Sequence, residues 1–330
     1  MNQARNISIF LSVIIILVII TIVHLSNVKT VIAFNELSTA TNNSTRQWGP
    51  CESSYLNEEN LPPPARNSTA KVLKALDARF DERREARMRA VKRMGSRRYD
   101  GKWAYDLFEP EANCLSEERF GSAERYEAFG DGPKFVCGVD VIASSDDGCL
   151  VYSVGSNNKF DFEVAVDTHL GCETHTFDPT VKRFNGGKYA EFHPWGLGTD
   201  GVNKTFRGGK YTEMSLLTMY KALGHEGRRI NILKIDCEGC EWRAMPEIFS
   251  SISRGVLAVD QIQLEVHGTS FSEASALFSA ADEAKMRVFH KERNHWGCDG
   301  YKCLEYAFVS ESFLREANSY EISGKGNFSE

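Results

Sequence analysis

The sequence predicts an α/β fold built around a largely parallel sheet, and two observations predict it. From about residue 103, short apolar runs alternate with stretches of helix length, and glycine or acidic residues follow several of the runs. Strands that alternate with helices in this way indicate βαβ units. Because βαβ crossovers are right-handed, functional loops are expected at the carboxyl ends of the strands.

Seven strands and four helices are predicted in this part of the chain. The predicted strands are Cys149–Val154, Glu173–Phe177, Tyr189–Trp195, Ile230–Ile235, Val259–Val266, Met286–His290 and Glu305–Val309. The predicted helices are Phe160–Leu170, Glu213–Leu223, Glu241–Phe249 and Ser272–Glu283.

The N-terminal region predicts a membrane anchor. After a short tail at residues 1–6, residues 7–25 contain no Asp, Glu, Lys or Arg. As a helix this stretch would span about 28 Å, close to the hydrocarbon thickness of a bilayer. A cleavable signal peptide usually has a shorter apolar core, although Val31-Ile32-Ala33 would suit cleavage and keeps that alternative open. The flanking charges, Arg5 and Lys29, leave the orientation nearly undecided.

Sequons and cysteines favour a secretory compartment. Asn-x-Ser/Thr triplets begin at Asn42, Asn43, Asn67, Asn203 and Asn327, all downstream of the apolar stretch. The nine cysteines suit an oxidising compartment, and their odd number leaves at least one free, metal-bound or intermolecular. We therefore expect a single-pass type II membrane protein whose bulk faces the Golgi or endoplasmic-reticulum lumen or the cell exterior.

A stem is predicted between the anchor and the globular body. Residues 26–68 are rich in Asn, Ser, Thr and Glu and predict a flexible segment. Residues 69–102 predict a basic helix that runs to Met94, because residues 71–98 hold eleven Lys or Arg against four Asp or Glu. This helix is interpreted as a solvated stem that packs one edge on the domain at 103–330, or as a surface for an acidic glycan or lipid. The net charge of −6 argues against nucleic acid as a partner.

A glycine turn after the first predicted strand indicates a nucleotide-type pocket. Gly155 ends that strand, and Asp178 follows at the tip of the next, where an acid commonly accepts hydrogen bonds from ribose hydroxyls. The three-glycine fingerprint that a pyrophosphate needs is absent, which disfavours NAD and favours S-adenosylmethionine, a cofactor without phosphate. An ordinary strand–helix turn is the alternative. The candidate cofactor-binding residues are Ser153, Gly155, Ser156, Asn157, Glu163 and Asp178.

The fourth predicted strand delivers two carboxylates to its carboxyl end. Asp236 and Glu238 follow the apolar run at 230–235, and residues two apart on an extended segment point the same way. Both can then face one pocket. The alternative is that Asp236 caps a helix and Glu238 is a surface charge.

At these motifs the chain resembles the methyltransferase-like protein 24 relatives, which are S-adenosylmethionine-dependent methyltransferases akin to the FkbM group. The matching stretches are CLVYSVGSN at 149–157, FDFE at 160–163, HTFDPT at 175–180, FHPWGLG at 192–198, LKIDCEGCEW at 233–242 and QLEVH at 263–267. The resemblance covers roughly 103–310. It implies a seven-stranded Rossmann-like sheet with helices on both faces, in which the first-strand loop and Asp178 hold the cofactor. It also implies that Asp236 and Glu238 lie beside cofactor and substrate. The chain departs from the family by having Tyr152-Ser153 where an acid begins the first motif.

Transfer of a methyl group to an alcohol needs an aligned nucleophile and an acceptor for its proton. The candidate bases are Asp236, Glu238, His193 and His267, all predicted near strand ends. No metal is assigned, although Asp178, Asp236, Glu238 and Glu265 offer the hard oxygen ligands that suit Mg²⁺.

The cysteines allow more than one arrangement. Cys237-x-x-Cys240 and Cys298-x4-Cys303 could together hold zinc, but an oxidising lumen favours disulfides. Cys137 and Cys149 flank a short apolar stretch and are candidates to pair across a loop.

The leading hypothesis is a membrane-anchored S-adenosylmethionine-dependent methyltransferase that O-methylates a glycan, a lipid or a small molecule. Its alternative is a secreted or membrane-tethered binding module that kept the fold and lost catalysis. The missing glycines disfavour a third option, a nicotinamide-dependent oxidoreductase.

Overall fold

The computed structural model describes residues 66–94, 104–145, 148–181, 188–206, 209–268, 270–296, 298 and 302–323. The predicted anchor at 7–25, nearly all of the stem at 26–68 and Cys51 lie outside these ranges. Within them, none of the helices combines the length and the apolar character needed to cross a membrane. Of the five predicted glycosylation sites, Asn203 has a described side chain, and it is exposed on a strand.

The elements are numbered in chain order. The strands are β1 (Glu117–Phe120), β2 (Lys134–Cys137), β3 (Leu150–Val154), β4 (Glu173–Phe177), β5 (Glu191–His193), β6 (Gly196–Leu197), β7 (Asn203–Phe206), β8 (Gly209–Met214), β9 (Arg229–Ile235), β10 (Ala258–His267), β11 (Met286–Arg293) and β12 (Cys303–Ser310). The helices are α1 (Arg66–Met94), α2 (Val139–Ala143), α3 (Asp161–Leu170), α4 (Leu216–Ala222), α5 (Glu241–Ser253), α6 (Phe271–Glu283) and α7 (Glu311–Ile322).

The main sheet has seven strands in the order β11-β12-β10-β9-β3-β4-β5. The pairs β10–β9, β9–β3, β3–β4 and β4–β5 are parallel, whereas β12 is antiparallel to both of its neighbours. Each of the seven predicted strands is a strand of this sheet. The prediction of an α/β fold with a largely parallel sheet is therefore confirmed, with β12 making the sheet mixed.

Two apolar layers cover the sheet, one on each face. Leu216 in α4, Met245 in α5 and Phe278 in α6 belong to the larger cluster. Phe162 in α3 and Phe313 in α7 belong to the cluster on the other face. Because both faces are covered, β9 is buried along almost its whole length, as its apolar composition requires.

One predicted helix begins later than expected. The prediction of a helix over Glu213–Leu223 is wrong at its start, because residues up to Met214 pair in β8 and α4 begins at Leu216. The Ser215 side chain caps α4 by accepting a hydrogen bond from the Thr218 amide. Glu213 is fully buried and accepts hydrogen bonds from Thr199 and Arg243, contacts that local helix propensity does not register.

The predicted basic helix is α1, and one of its arginines is buried. The Arg87 guanidinium donates to both oxygens of Asp282 in α6, at 2.8 and 2.9 Å, and to Glu111. Phe80, about two turns earlier on α1, is also buried. The helix thus packs on the body of the domain through Phe80 and Arg87, while Arg89 stays exposed.

Four disulfides join the eight described cysteines: Cys114–Cys137, Cys149–Cys172, Cys237–Cys240 and Cys298–Cys303. The suggested pairing of Cys137 with Cys149 is wrong, because each has another partner. The four-thiolate zinc alternative is wrong as well, because all four sulfurs are in disulfides. Cys149 and Cys172 directly precede β3 and β4. Because these two strands are parallel neighbours, their first residues lie side by side, which brings the two cysteines together.

Candidate functional site

A cleft of about 430 Å³ opens at the carboxyl ends of β3, β4 and β9. It brings together eight of the predicted site residues: Gly155, Ser156, Asn157, Glu163, Asp178, Asp236, Glu238 and His267. Two others, Ser153 and His193, do not line it. The carboxyl edge of a parallel sheet is where α/β folds place their ligands.

Gly155 lets β3 and β9 approach each other at the floor of the cleft. Its φ is +83°, and a Cβ atom there would lie 1.7 Å from the backbone oxygen of Asp236. The Lys234 ammonium donates to the Gly155 carbonyl at 2.8 Å. A side chain at position 155 would therefore push the loop away from the strand that carries Asp236.

Asp178 organises the loop that follows Gly155. Its Oδ2 atom accepts hydrogen bonds from the amides of Ser156 and Asn157 at 3.0 and 2.8 Å. Its Oδ1 atom accepts from the amide and hydroxyl of Thr180. Burial alone would raise the pKa of Asp178, but these hydrogen bonds hold it below its ordinary value. The carboxylate is thus ionised, and both of its oxygens bind the chain's own loop.

Two other predicted cofactor residues are deeply buried. Glu163, in the first turn of α3, lines the cleft with no solvent exposure, and neither carboxylate oxygen has a hydrogen-bond partner in the described part of the chain. A buried carboxylate without a partner is costly, so a ligand donor at this position would be stabilising. Ser153 lies inside β3, fully buried, and does not reach the cleft.

Asp236 belongs to a cluster of carboxylates around one buried lysine. The Lys134 ammonium lies 3.7 Å from Asp236, 3.5 Å from Glu265, and in direct contact with Glu305. Burial alone would raise the pKa of Asp236, but Lys134 and Lys234 hold it below its ordinary value. Burial also raises the pKa of Glu265 to about 9, with the charges of Glu305 and Asp236 adding to the effect. The cluster therefore presents Asp236 as a carboxylate and Glu265 as a neutral acid near pH 7.

His267 lies at the end of β10 between two acids. Its Nδ1 atom is 3.1 Å from Glu241 and its Nε2 atom is 3.6 Å from Glu238. Burial alone would lower the pKa of His267, but the hydrogen bond and charge of Glu241 raise it to about 9. His267 is therefore an imidazolium near pH 7 and acts as a donor and a positive charge, whereas the sequence suggested a base.

The structure separates His193 from the other predicted bases. It is buried at the end of β5, where its ring stacks on Phe177 and its Nε2 atom lies 2.9 Å from Nδ1 of His175. His193 therefore lies near a strand end, as predicted, but does not line the cleft. Strand ends alone do not tell which face of the sheet a side chain covers.

Two residues at the site, Lys134 and Glu241, were missed by the sequence reasoning, which considered Glu265 only as a possible metal ligand and not as a neutral acid. Lys134 comes from the β1–β2 hairpin, which precedes the first predicted strand and was not predicted at all. A lysine in an apolar FVC context at 134–137 is a weak signal, and its three carboxylate partners come from distant parts of the chain.

The charge of the cleft is negative. Seven acidic side chains line it against four lysine and arginine side chains, and with Glu265 neutral and His267 charged this leaves six negative charges against five positive ones near pH 7. An excess of carboxylates repels phosphate groups and attracts cationic ones. The cleft therefore suits a ligand that carries positive charge better than a dinucleotide.

One comparison with known proteins shows a family. A family model described as a methyltransferase domain matches residues 66–310, about three quarters of the chain. No curated protein matches significantly. The finer resemblance to the methyltransferase-like protein 24 relatives stays a prediction.

Three solved structures show partial likeness. A candidate SAM-dependent methyltransferase from Streptococcus mutans has 10% identity and a TM-score of 0.32, with 52% of this chain and 47% of that chain covered. The Burkholderia thailandensis 1,6-didemethyltoxoflavin-N1-methyltransferase, solved with 1,6-didemethyltoxoflavin and S-adenosylhomocysteine, has 10% identity and a TM-score of 0.29, with 52% and 76% covered. The antibiotic-resistance methyltransferase Kmr has 12% identity and a TM-score of 0.31, with 55% and 98% covered. The match thus spans about half the length of the first of these structures.

Scores this low support no statement about activity or ligand, and the assignment depends on the family model. Because that model covers well over half of the sequence, the chain belongs to the methyltransferase domain family.

Proposed function

We propose that this protein is an S-adenosylmethionine-dependent methyltransferase that transfers a methyl group to a hydroxyl or carboxyl oxygen. One observation carries the proposal. In a chain of the methyltransferase domain family, the glycine turn, Asp178 and Asp236 line a single acidic cleft at the carboxyl edge of the sheet.

The cleft fits this cofactor in three ways. The single glycine turn suits a ligand without pyrophosphate. The surplus of carboxylates suits a sulfonium and an ammonium group. The unpartnered oxygens of Glu163 would accept hydrogen bonds from donors of the ligand. Gly155, Ser156, Asn157 and Glu163 would hold the cofactor, with Asp178 shaping the loop, and the bound cofactor would supply an electrophilic methyl group.

The chain's own residues then prepare the acceptor. Asp236 is ionised and is the group we assign to take the proton from an acceptor hydroxyl, with Glu238 as the second candidate at the rim. The charged His267 would orient an acceptor oxygen by donating from Nε2 and would stabilise negative charge there. The acceptor we propose is a glycan, a lipid or a small molecule, reached by a type II membrane protein with a lumenal or extracellular body.

The first test is calorimetric titration of the purified full chain with S-adenosylmethionine, S-adenosylhomocysteine and NAD. We expect both sulfur ligands to bind with micromolar affinity and NAD not to bind. Glu163→Gln and Asp178→Ala should each weaken binding at least tenfold. Asp167→Asn is the matched control, because Asp167 is an exposed acid on the same helix as Glu163. Absence of binding by the folded, oxidised chain would overturn the proposal.

A second candidate function, a binding module that has lost catalysis, is favoured by one observation. Both oxygens of Asp178 are engaged by the protein's own loop, so a ribose diol would have to compete with those bonds. Failure of both sulfur ligands to bind, with the fold intact by circular dichroism, would move the assignment to this module.

A further inference from the structure

A second group of ionisable side chains lies on the β4–β5 edge of the sheet, away from the cleft. His175 in β4 and His193 in β5 face each other, with Nδ1 of His175 2.9 Å from Nε2 of His193. Glu191, two residues before His193, places its Oε2 atom 3.9 Å from the first nitrogen and its Oε1 atom 3.8 Å from the second. We propose that His175, His193 and Glu191 form a binding site for a divalent transition-metal ion, with Zn²⁺ as the natural occupant.

The spacing of the three side chains fits a metal. In a tetrahedral zinc site, bonds of about 2.0–2.2 Å place ligand atoms about 3.3–3.6 Å from one another. The three separations here, 2.9, 3.8 and 3.9 Å, bracket that range. Small side-chain adjustments therefore suffice for all three to reach one ion. Two imidazoles and a carboxylate form a donor set that zinc accepts readily.

The surroundings fix the ligand tautomer of His175. Its Nε2 atom donates to Glu173 at 2.9 Å, which leaves the Nδ1 lone pair directed at His193 and Glu191. Glu173 is itself held by Arg228 at 2.7 Å and by His225 at 3.1 Å. A carboxylate behind a metal-binding histidine is the usual second-shell arrangement, and it raises the basicity of the ligand.

The second imidazole is held in place by aromatic stacking. The His193 ring stacks on Phe177, with the ring centroids 5.1 Å apart, and lies tilted against Trp195 at 4.7 Å. Ion binding then requires the His193 proton to be on Nδ1, so that Nε2 is free to coordinate. Glu191 is exposed, which gives an ion a route from solvent and leaves a fourth position for water.

A bound ion would stabilise the β4–β5 edge of the sheet. β5 is an edge strand of only three residues. The carbonyl of His193 accepts a hydrogen bond from the Asp178 amide at 3.0 Å, directly at the turn that shapes the cleft. An ion shared by β4 and β5 would therefore fasten this edge beneath Asp178, whether or not the cleft binds S-adenosylmethionine.

The test is Co²⁺ titration of the purified full chain after chelator treatment, followed by displacement with Zn²⁺. We expect one equivalent of Co²⁺ to bind, with intense visible d–d bands that Zn²⁺ abolishes, and a higher melting temperature with Zn²⁺. His193→Gln should remove the bands, and Glu191→Gln should weaken binding at least tenfold. Since Glu191 is exposed, that variant keeps the test valid if His193→Gln does not fold.

His290→Gln is the matched control, because His290 contacts Glu117 at 2.7 Å as a histidine–glutamate pair far along the sheet. The His290→Gln variant should bind Co²⁺ as tightly as the wild type does. The proposal is overturned if the folded wild type binds no ion, or if Glu191→Gln and His193→Gln bind as tightly as the control.

Discussion

At the scale of single residues, Gly155 shows how one backbone position shapes the cleft. We expect Gly155→Ala to be destabilising, because a left-handed backbone costs a non-glycine residue about 1–3 kcal/mol and the new Cβ would also strike the Asp236 carbonyl. Urea denaturation measures the loss. Gly171→Ala is the control, since Gly171 also has a positive φ, +63°, but has open space around its Cβ position.

Gly171→Ala should lose about 1 kcal/mol of the free energy of unfolding, because it carries only the cost of the left-handed backbone. The Gly155 variant should lose more and should also bind S-adenosylmethionine more weakly. Equal losses in the two variants would show that β3 and β9 do not approach as closely as described.

His267 and Glu265 make stability depend on pH. Both pKa values lie near 9 in the folded chain, above their ordinary values of 6.5 and 4.5. Since the folded chain binds these protons more tightly than the unfolded chain, the free energy of unfolding falls as the pH rises. The contribution of His267 is fully present below pH 6.5 and is lost as the pH passes through about 9.

We expect the free energy of unfolding to fall by roughly 1–3 kcal/mol between pH 6.5 and pH 9 through His267. Urea denaturation at the two pH values tests this. His267→Gln should reduce the dependence to the part that Glu265 contributes, whereas His295→Gln, at an exposed histidine, should leave it unchanged. A slope that His267→Gln does not alter would contradict the ion pair with Glu241.

At the scale of elements, the β1–β2 hairpin connects a disulfide to the cleft. Cys114–Cys137 closes a loop with a sequence separation of 23 and lies at the end of β2, the strand that carries Lys134. Cys149–Cys172 has the same separation but joins the starts of β3 and β4, at the opposite edge from the cleft. The two disulfides are thus matched in loop length and different in position.

We expect the double alanine variants of both pairs to lose about 3 kcal/mol of stability, since the loop entropy is the same. Only the Cys114→Ala, Cys137→Ala variant should also disturb the site, because Lys134 balances Asp236 and Glu265. Calorimetric titration with S-adenosylmethionine distinguishes the two double variants by their affinity for this ligand. Equal affinities in both variants would show that the hairpin does not control the site.

At the scale of the whole molecule, Arg87 joins α1 to the body of the domain. Arg87→Ala would leave Glu111 without its charged partner in a buried place, which typically costs about 3–5 kcal/mol, while Asp282 would keep its ion pair with Arg287. Arg89→Ala, which removes an exposed pair with Glu85, should cost less than about 1 kcal/mol. Thermal unfolding compares the two. Similar melting temperatures would mean that Arg87 does not fasten α1 to the domain.

The seven strands and most helices of the domain could be predicted because their signals are local. Apolar runs such as the one at 230–235 and cap residues such as Ser270 are read from neighbouring positions. The β1–β2 hairpin escaped prediction since β1, with two glutamates and an arginine in four residues, has no apolar pattern. The short strands β6–β8 and the helices α2 and α7 were not predicted either. The start of α4 was misplaced because the buried Glu213 is satisfied by residues distant in sequence.

The sequence by itself determined the architecture, the glycine turn and the pair of acids Asp236 and Glu238, because periodicity and spacing carry that information along the chain. Only the tertiary structure decided the charge states of the ionisable side chains and which residues they contact. His193 joined His175 across two strands instead of facing the cleft, and Lys134 came from a distant hairpin to hold Asp236 ionised. Electrostatic energies depend on distance and burial in three dimensions, and one-dimensional spacing contains neither.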